Sequence, residues 1–285
     1  MQVNKIGNLN FKNRFFLAPM LEPNDIAFRI LCKKSGSGLN FTGMYSPRTK
    51  EKIFLEDKPA IQIMCNSTDF VKEFIKKYDS QVSLWDLNLG CPSPIAKRNE
   101  VGVFLQDKPE KIEEILKIMR LSTEKPITIK LRKSSNTLPI IKMAEKYVDA
   151  ICIHPRTKDQ GYSGKPDLEF AELVKKSTKL PVIYSGNVNK VNCKELLKKF
   201  DFLMIGREAI GNPSIFSELL GKTKQKITFF DYLKLAEKYG IKYAQIKFQA
   251  MNFTKGLKNA KEIREKLVSA KNLNDIKEAY KTLKN

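Results

Sequence analysis

Short apolar runs alternate with longer amphipathic stretches through roughly the first 220 residues of the chain. Compact apolar runs favour buried strands, and stretches in which apolar residues recur every three or four positions favour helices. Eight strands are predicted in this way, and they are Arg14–Ala18, Leu39–Thr42, Ala60–Met64, Leu84–Leu89, Ile127–Leu131, Ala150–Ile153, Pro181–Ser185 and Phe202–Ile205. The helices predicted between or after them are Thr68–Tyr78, Pro109–Leu121, Leu138–Tyr147, Leu168–Lys175, Val191–Lys198 and Pro213–Leu220, the last with Asn212 as a candidate N-cap.

This alternation favours one of two α/β architectures. Strands that alternate with helices form parallel βα units, and eight such units make a (β/α)8 TIM barrel. An open doubly wound sheet normally has fewer strands and a glycine-rich turn after the first one, whereas the first strand here ends in Ala18-Pro19-Met20. The pattern therefore predicts a TIM barrel over residues 1–221.

Residues 222–285 follow a different pattern and predict a small C-terminal helical domain. Apolar and aromatic residues recur at roughly helical spacing in Thr228–Phe253, Lys261–Val268 and Asp275–Leu283. We expect the aromatic residues of this segment mainly to form a hydrophobic core rather than to stack on bases.

The C-terminal segment is also the most basic part of a basic chain. The formal net charge is +21. Residues 222–285 hold 16 Lys and Arg against 6 Asp and Glu, whereas the other 221 residues hold 36 against 25. A lysine-rich proteome would raise the charge evenly along the chain, so this concentration favours a polyanionic partner, with nucleic acid first.

Composition also disfavours several classes of protein. No apolar run approaches the length of a membrane span, and the first residues lack the pattern of a secretory signal, so we expect a cytoplasmic protein without membrane contact. The five cysteines are widely scattered without a CxxC pair, and His154 is the single histidine. These features argue against a disulfide framework and against a metal site.

Polar residues and glycines gather directly after the predicted strands. In a barrel, the carboxyl ends of all strands meet at one rim, where active sites form. Each of these residues is ambiguous alone, since a buried amide or a Ser-Gly-Asn turn occurs in many folds, but eight such strand ends together predict a functional site. The residues are Pro19, Met20, Thr42, Gly43, Gln62, Asn88, Gly90, Cys91, Lys130, Arg132, His154, Arg156, Ser185, Gly186, Asn187, Gly206 and Arg207.

The ends of the seventh and eighth strands predict a phosphate site. Barrels often bind phosphate there through backbone N–H groups that glycine leaves accessible. Gly186 and Gly206 provide such glycines, and Arg207 adds a guanidinium able to contact phosphate through two hydrogen bonds. Lys130 ends the fifth strand; if it points inward, this cation needs an electron-rich partner such as a reduced flavin, and a solvated lysine is the alternative.

The fourth strand ends in Asn88-Leu89-Gly90-Cys91-Pro92-Ser93-Pro94. Pro92 and Pro94 have a fixed φ and no N–H, so the strand cannot continue and Cys91 lies on a stiff loop. Most free cysteines are buried and inert, and an inert residue at a strand end is the alternative. The position at the predicted rim makes Cys91 the candidate catalytic residue.

Arginine is scarce beside lysine, so its placement is informative. Of nine arginines, five follow strand ends on the predicted rim. Guanidinium groups suit phosphate and base recognition, and we expect some of the five to form structural pairs instead. Besides Arg207, the candidate substrate contacts are Arg48, Arg98, Arg132 and Arg156.

Together these motifs resemble those of the tRNA-dihydrouridine synthases. The resemblance covers almost the whole predicted barrel and implies FMN as cofactor, NADPH as reductant and tRNA as substrate. It also implies a barrel followed by a small helical RNA-binding domain. The landmarks are Ala18-Pro19-Met20, Asp86-Leu87-Asn88-Leu89-Gly90-Cys91-Pro92, Ile129-Lys130-Leu131-Arg132, His154-Pro155-Arg156-Thr157, Ser185-Gly186-Asn187 and Gly206-Arg207.

The resemblance further implies roles for individual residues. Cys91 would protonate C5 of a uracil whose C6 receives a hydride from reduced FMN, and the uridine would have to leave the folded tRNA to reach it. Asn88 would orient the flavin and the uracil. The remaining cofactor contacts would be Pro19 and Met20 beside the isoalloxazine ring, Gln62 and Lys130 at its polar edge, His154 at the flavin or its phosphate side, and Ser185, Gly186, Asn187, Gly206 and Arg207 towards the ribityl phosphate.

Two other functions remain open at this point. A flavin barrel that reduces a free pyrimidine, like the dihydroorotate dehydrogenases, would use the same chemistry but would not need a basic C-terminal domain. An RNA-binding or RNA-chaperone protein without catalysis would not need Cys91, Lys130 and His154. The combination of both features favours the tRNA-dihydrouridine synthases.

Overall fold

Eight parallel strands close into a barrel in the computed structural model of the protein, which describes residues 4–222 and 226–281. The strands are β1 (Lys5–Ile6) and β2 (Leu9–Asn10), which form a small antiparallel sheet, followed by β3 (Phe15–Leu17), β4 (Leu39–Tyr45), β5 (Ala60–Ile63), β6 (Leu84–Leu89), β7 (Ile127–Arg132), β8 (Ala150–His154), β9 (Val182–Ser185) and β10 (Phe202–Ile205). Strand β10 pairs with β3 and closes the barrel. The predicted TIM barrel and its eight strands are confirmed.

Helices follow the barrel strands and then continue beyond the barrel. They are α1 (Ile26–Ser35), α2 (Val71–Tyr78), α3 (Pro94–Arg98), α4 (Pro109–Ser122), α5 (Thr137–Ala144), α6 (Leu168–Ser177), α7 (Cys193–Lys199), α8 (Ile215–Leu219), α9 (Phe229–Lys238), α10 (Tyr243–Phe253), α11 (Ala260–Ser269) and α12 (Leu273–Lys281). The six helices predicted for the barrel correspond to α2 and α4–α8. Over the described ranges, the structure contains no helix with the length and apolar character needed to cross a membrane.

Two helices were not predicted, although both carry clear end signals. Asp25 precedes α1 and accepts a hydrogen bond from the Phe28 N–H at 2.9 Å, and Gly36 ends the helix with φ of 111°. Ser93 caps α3, whose first residue is Pro94. Helix α1 carries an exposed charged side at Lys33 and Lys34, so its pattern was within reach of the sequence, whereas α3 has five residues, too few to show a helical period.

The expected N-cap at Asn212 is wrong. Helix α8 starts at Ile215, and its N-cap position is Ser214. Asn212 instead belongs to a turn in which its carbonyl accepts the Ile215 N–H at 3.1 Å. Pro213 is the second residue of this turn rather than the first residue of the helix.

The barrel interior is apolar near the start of the strands and polar near their carboxyl ends. Side chains two residues apart share a face of a strand. Phe16, Phe41 and Phe202 fill the apolar part, and the Phe16 and Phe202 rings stack with centroids 4.8 Å apart. Further along the same faces, β5 and β6 carry Gln62 and Asp86. The sequence thus fills the lower barrel and leaves polar groups at the rim.

Helices α9–α12 form a second cluster around buried aromatic residues. Phe229, Tyr232 and Phe253 are buried as expected, whereas Phe230 and Phe248 are exposed. The predicted stretch Thr228–Phe253 is two helices, because a turn at Gly240, with φ of 61°, separates α9 from α10. The last predicted helix is present as α12, and residues 282–283 of that prediction lie outside the described residues.

The C-terminal helices pack against the barrel through α1 and the loop before it. Asp25 accepts hydrogen bonds from the Tyr232 hydroxyl at 3.4 Å and from Gln249 Nε2 at 3.3 Å. Gly211, which follows β10, approaches the end of α10 so closely that an added Cβ would lie 2.2 Å from the Asn252 carbonyl oxygen. The C-terminal helices therefore contact the segment that follows the last barrel strand.

Candidate active site

A cavity of about 620 Å³ opens at the carboxyl end of the barrel. Its volume is in the range that suits a cofactor or another small molecule. Ten of the residues predicted from the sequence line it, and they are Pro19, Met20, Lys130, His154, Arg156, Ser185, Gly186, Asn187, Gly206 and Arg207. The predicted convergence of strand ends therefore produces one cavity from the ends of β3 and β7–β10.

Basic side chains outnumber acidic ones in the lining of this cavity, with Lys130, Arg156, Arg207 and Lys255 against Glu22 and Glu208. Burial, together with the nearby cations Lys130, Arg132, Arg156 and Arg207, lowers the pKa of His154 to about 2. Arg156 Nη1 lies 3.1 Å from His154 Nε2. Because a guanidinium only donates, Nε2 accepts, and the neutral imidazole carries its proton on Nδ1.

Lys130 lines the cavity on the inner side of β7. Its ammonium makes no hydrogen bond or ion pair with any residue in the described part of the chain. Most buried or half-buried cations are paired. The cavity thus presents a cation that has room for an electron-rich partner.

The phosphate end predicted from the glycines has an accessible backbone. A Cβ added to Gly206 would meet only Ala18 and Met20, at 3.6 and 3.8 Å, which are ordinary contacts. Packing alone does not require glycine there, and its absent side chain leaves the cavity wall open. Arg207 donates to the Asn187 side-chain oxygen, and Asn187 has φ of 49°.

Arg132 is buried rather than presented to solvent. Its guanidinium donates to the carbonyls of Gly90, Thr157 and Gly161 at 3.1, 3.0 and 2.7 Å, and the residue is 2% exposed. These bonds tie the loop after β6 to the loop after β8. Contact with a tRNA phosphate would require Arg132 to leave them.

Arg156 is buried in a similar way. It is 1% exposed and donates to the carbonyls of Ser163 and Gly164 at 3.1 and 2.7 Å. Together with Arg132 it holds the backbone on both sides of Tyr162, whose ring lies 5.2 Å from the Arg207 guanidinium. Both arginines thereby fix a cavity-lining aromatic residue.

Arg48 and Arg98 remain at the surface. Arg48 pairs with Asp69 at 2.6 Å and lies 4.8 Å from the Phe70 ring centroid. Arg98 is exposed at the end of α3. Of the four arginines predicted to contact substrate, these two are accessible from outside.

Cys91 lies on the loop between β6 and α3. Its thiol donates to Ser93 Oγ at 3.3 Å, and its backbone N–H donates to Asn88 Oδ1 at 2.9 Å. Gly102, with φ of 64°, packs so closely that an added Cβ would lie 2.6 Å from the Cys91 carbonyl oxygen. Cys91 is half-buried, whereas the other four cysteines are buried.

Gln62 and Asn88 belong to a buried row beside the cavity rather than to its lining. Gln62 is fully buried and bonds to Asp86 through Nε2 at 2.6 Å and to Asn88 through Oε1 at 2.7 Å. Gln62 therefore lies outside the lining of the cavity. Asn88 connects this row to the Cys91 loop.

Sequence reasoning missed several residues of the site. Asp86 lies inside the motif that ends in Cys91, and Ser93 accepts the thiol hydrogen bond, so both were within reach of the sequence. Tyr162, Glu22 and Lys255 line the cavity from loops, where no periodicity marks them. Lys255 comes from the turn after α10, so only the tertiary structure brings it to the barrel.

Metal ligands do not cluster in residues 4–222 and 226–281. No group of three or more His, Cys, Asp or Glu side chains there is placed to hold a metal ion.

Comparison with known proteins agrees with the motifs. The chain is 30% identical over 242 residues to tRNA-dihydrouridine synthase B of Vibrio vulnificus, with 75% of this chain and 73% of that protein covered. It is 31% identical over 237 residues to the probable tRNA-dihydrouridine synthase of Rickettsia conorii, with 75% and 72% covered.

Solved structures with the same fold include an old yellow enzyme homologue from Zymomonas mobilis. Its TM-score is 0.58 at 11% identity, with 80% of this chain and 94% of that chain covered. Morphinone reductase in complex with tetrahydroNAD has a TM-score of 0.54 at 10% identity, with 80% and 92% covered. At this identity the likeness establishes a shared barrel fold.

The family comparison confirms the resemblance seen in the motifs. The family model for dihydrouridine synthase (Dus) matches residues 16–285, which include both the barrel and the C-terminal helices. The chain therefore belongs to the dihydrouridine synthase family.

Proposed function

We propose that this protein reduces uridines in tRNA to 5,6-dihydrouridine, with FMN as cofactor and NADPH as reductant. The observation that carries the proposal is a cation-lined cavity that shares a barrel rim with the half-exposed thiol of Cys91, in a chain of the dihydrouridine synthase family. The name of the Vibrio vulnificus relative supports tRNA as the substrate. A tRNA substrate supports a cytoplasmic location for the activity.

The cavity fits FMN in three respects. Its volume of about 620 Å³ suits a ring system with a ribityl chain. Lys130 lacks a partner within the described residues, and an electron-rich ring edge would supply one. The accessible backbone at Gly206, beside Arg207, suits a phosphate.

The residues that would hold FMN follow from this arrangement. Pro19 and Met20 would contact the ring, Lys130 its polar edge, and neutral His154 would donate from Nδ1. The phosphate would lie among Ser185, Gly186, Asn187, Gly206 and Arg207. Gln62 and Asn88 would act from behind this layer. When bound and reduced, FMN supplies a hydride to C6 of the uracil ring.

Cys91 would complete the reduction by donating its proton to C5. The two additions saturate the C5=C6 bond, and the thiolate left on Cys91 regains a proton from water. Before reaction the thiol proton points to Ser93 Oγ, so Ser93 would orient it. Asn88 and Gly102 hold the backbone of Cys91, which keeps the thiol at one place on the rim.

The tRNA would lie across the rim and the basic C-terminal helices. We propose residues 1–221 as the catalytic domain and residues 222–285 as the tRNA-binding domain. Exposed Arg48 and Arg98 would contact tRNA directly, whereas buried Arg132 and Arg156 would act by holding the Tyr162 loop. Phosphate contacts of this kind would make tRNA binding strongly dependent on salt.

Mass analysis of tRNA tests the proposal. Unmodified tRNA is incubated with the protein, FMN and NADPH, then digested to nucleosides, and free uridine and free uracil are treated in parallel. We expect the gain of two hydrogens on uridines of tRNA and none on the free compounds. Reduction of free pyrimidine alone would indicate the pyrimidine-reducing barrel, and tRNA binding without reduction would indicate an RNA-binding protein.

A further inference from the structure

A buried row of polar side chains links Asp86 to the loop that carries Cys91. Gln62 Nε2 donates to Asp86 Oδ2 at 2.6 Å, and Asn88 Nδ2 donates to Gln62 Oε1 at 2.7 Å. Asn88 Oδ1 then accepts the backbone N–H groups of Gly90 and Cys91 at 3.0 and 2.9 Å. The row runs without interruption from a buried carboxyl to the candidate catalytic residue.

The strand register explains why these side chains meet. Gln62 of β5 is paired with Asp86 of β6, and Asp86 is paired with Thr128 of β7. Asn88 lies two residues beyond Asp86 on the same face of β6. Thr128 Oγ1 donates to Asp86 Oδ1 at 2.5 Å, so each carboxyl oxygen has one donor.

The two ends of the row fix its direction. A carboxylate only accepts hydrogen bonds, and a backbone N–H only donates. Gln62 and Asn88 lie between these ends, and each has one amide orientation that satisfies both neighbours. If the first residue could donate as well as accept, both amides could turn over, and the Asn88 oxygen would leave the Gly90 and Cys91 N–H groups.

We propose that Asp86 is a positioning residue that sets the direction of this row and thereby fixes the Cys91 turn at the rim. Asp86 acts through Gln62 and Asn88 and touches neither substrate nor cofactor. The proposal concerns the free protein, and its consequence for turnover rests on the proposed function.

Burying the carboxyl of Asp86 costs free energy, which argues against a side chain that only fills space in the barrel. Asp86 is fully buried, and burial raises its pKa to about 7, while hydrogen bonds from Thr128 and Gln62 and the charge of Lys130 lower it. An apolar side chain would fill this position without the cost of burying a polar group. The hydrogen bonds from Gln62 and Thr128 indicate that the carboxyl is needed as an acceptor and not only for its volume.

Alkylation of Cys91 tests the proposal without cofactor or substrate. The FMN-free protein is treated with iodoacetamide at a pH above about 8, where a carboxyl with a pKa of about 7 is mainly ionised, and the modification rate of Cys91 is measured by peptide mass mapping. The other four cysteines are buried, so the half-buried Cys91 is the main reporter. Asp86→Asn keeps the shape but admits both directions of the row, and we expect alkylation at least about threefold faster.

Two further variants separate positioning from loss of stability. Thr128→Val removes one bond to Asp86 but leaves a carboxyl that only accepts hydrogen bonds once it is ionised, so at alkaline pH Cys91 should react within about twofold of the wild-type rate. Asp79→Asn is a matched control, because Asp79 accepts from Trp85 Nε1 at 2.8 Å and Thr123 Oγ1 at 2.6 Å away from the row. Equal Cys91 rates in Asp79→Asn and Asp86→Asn would overturn the proposal.

A second variant that interrupts the row of hydrogen bonds is used if Asp86→Asn does not fold. Gln62→Met has a similar length and cannot transmit a direction, so it should raise the Cys91 rate as well. An unchanged rate in this variant would also overturn the proposal.

Turnover gives a separate measurement in the FMN-loaded protein. In Asp86→Asn we expect kcat on tRNA to fall by about 10- to 100-fold, with FMN bound no more weakly, because a negative charge near Lys130 is removed. If alkylation responds but wild-type protein reduces no tRNA, the proposed function fails and the positioning role stands. If wild-type protein is active and the Cys91 rate does not respond, the positioning role fails alone.

Discussion

The two halves of the barrel rim differ in whether their polar and charged groups have partners within the protein. Around β5–β7, Gln62, Asp86 and Asn88 satisfy one another and the Cys91 turn through hydrogen bonds of 2.6–3.0 Å. Around β7–β10, Lys130 has no partner within the described residues, and burial together with clustered cations lowers the pKa of His154. One half is complete in the protein itself, and we propose that a bound anion completes the other.

This difference predicts a different function for each half of the rim. A closed hydrogen-bonded row holds a group in place, as the position of a proton donor requires. A cluster of like charges stores repulsion that a bound anion relieves, as a cofactor phosphate does. We therefore expect substitutions in the first half to change chemistry and those in the second to change cofactor binding.

Cys91→Ala should give the largest effect. Loss of a general acid typically slows a reaction by about 10²- to 10⁴-fold, and we expect dihydrouridine formation in tRNA to fall by that amount. FMN affinity, measured by flavin fluorescence, should stay within about threefold, since Cys91 does not line the cavity. Cys193→Ala, at a buried cysteine of α7, is the control for loss of a thiol. Loss of FMN from Cys91→Ala would contradict the separation of the two halves.

Arg207→Ala should produce the opposite pattern. A hydrogen bond to a charged group contributes about 1.5–3 kcal/mol, which corresponds to about 10- to 100-fold in the FMN dissociation constant. At saturating FMN, kcat should recover to within a few-fold of wild type. Arg48→Ala is a matched control for FMN affinity only, because Arg48 lies at the surface in an ion pair with Asp69 and outside the cavity lining. A low kcat at saturating FMN would show that Arg207 also serves the chemical step.

The sequence predicted the second half of the rim better than the first. Gly186, Gly206 and Arg207 follow strand ends, and the shared direction of parallel strands is enough to bring them together. The direction of the Asp86 row depends instead on register between β5, β6 and β7, which a single sequence does not encode locally. Lys255 reaches the cavity only because α10 packs against the segment after β10.

The arginines show why residue type alone does not fix the partner of a side chain. Arg132 and Arg156 have the residue type of a phosphate contact, yet they bond to main-chain carbonyls of the loop around Tyr162. A guanidinium serves both purposes with the same geometry. Only the neighbouring carbonyls, placed by the tertiary fold, decide between them.

The free energy of unfolding should change with pH in opposite directions for Asp86, in the first half of the rim, and for His154, in the second half. The raised pKa of Asp86, about 7, means that its stabilising contribution is present below pH 4 and is lost as pH rises through 7. Relative to Asp86→Asn, FMN-free wild type should therefore lose unfolding free energy, on the order of 3 kcal/mol, between pH 4 and pH 8. Urea unfolding at several pH values measures this difference.

Thr128→Val sharpens that measurement. It removes a hydrogen bond that lowers the pKa of Asp86, so the loss of stability should continue to higher pH than in wild type. His154 acts with the opposite sign, because its lowered pKa makes its contribution present above pH 6.5 and lost as pH falls. Parallel pH profiles for wild type and Asp86→Asn would mean that the carboxyl titrates as it does in the unfolded chain.

The smallest effect that we expect concerns His154, whose imidazole should not titrate near neutral pH in FMN-free protein. His154 is the single histidine of the chain, so imidazole NMR signals from protein without a tag report it alone. In FMN-free protein these signals should not titrate between pH 5 and pH 8, because burial and four cations lower the pKa to about 2. Bound FMN adds negative charge beside those cations, and the pKa should then rise.

Two variants identify the source of the His154 shift. Among the four cations, Lys130 lowers the pKa of His154 most and Arg207 lowers it least. Lys130→Met should therefore raise this pKa more than Arg207→Ala does. An imidazole that titrates near pH 6.5 in FMN-free protein would show that the second half of the rim is already neutralised without a ligand. The contrast between a complete half and a half that needs an anion would then be lost.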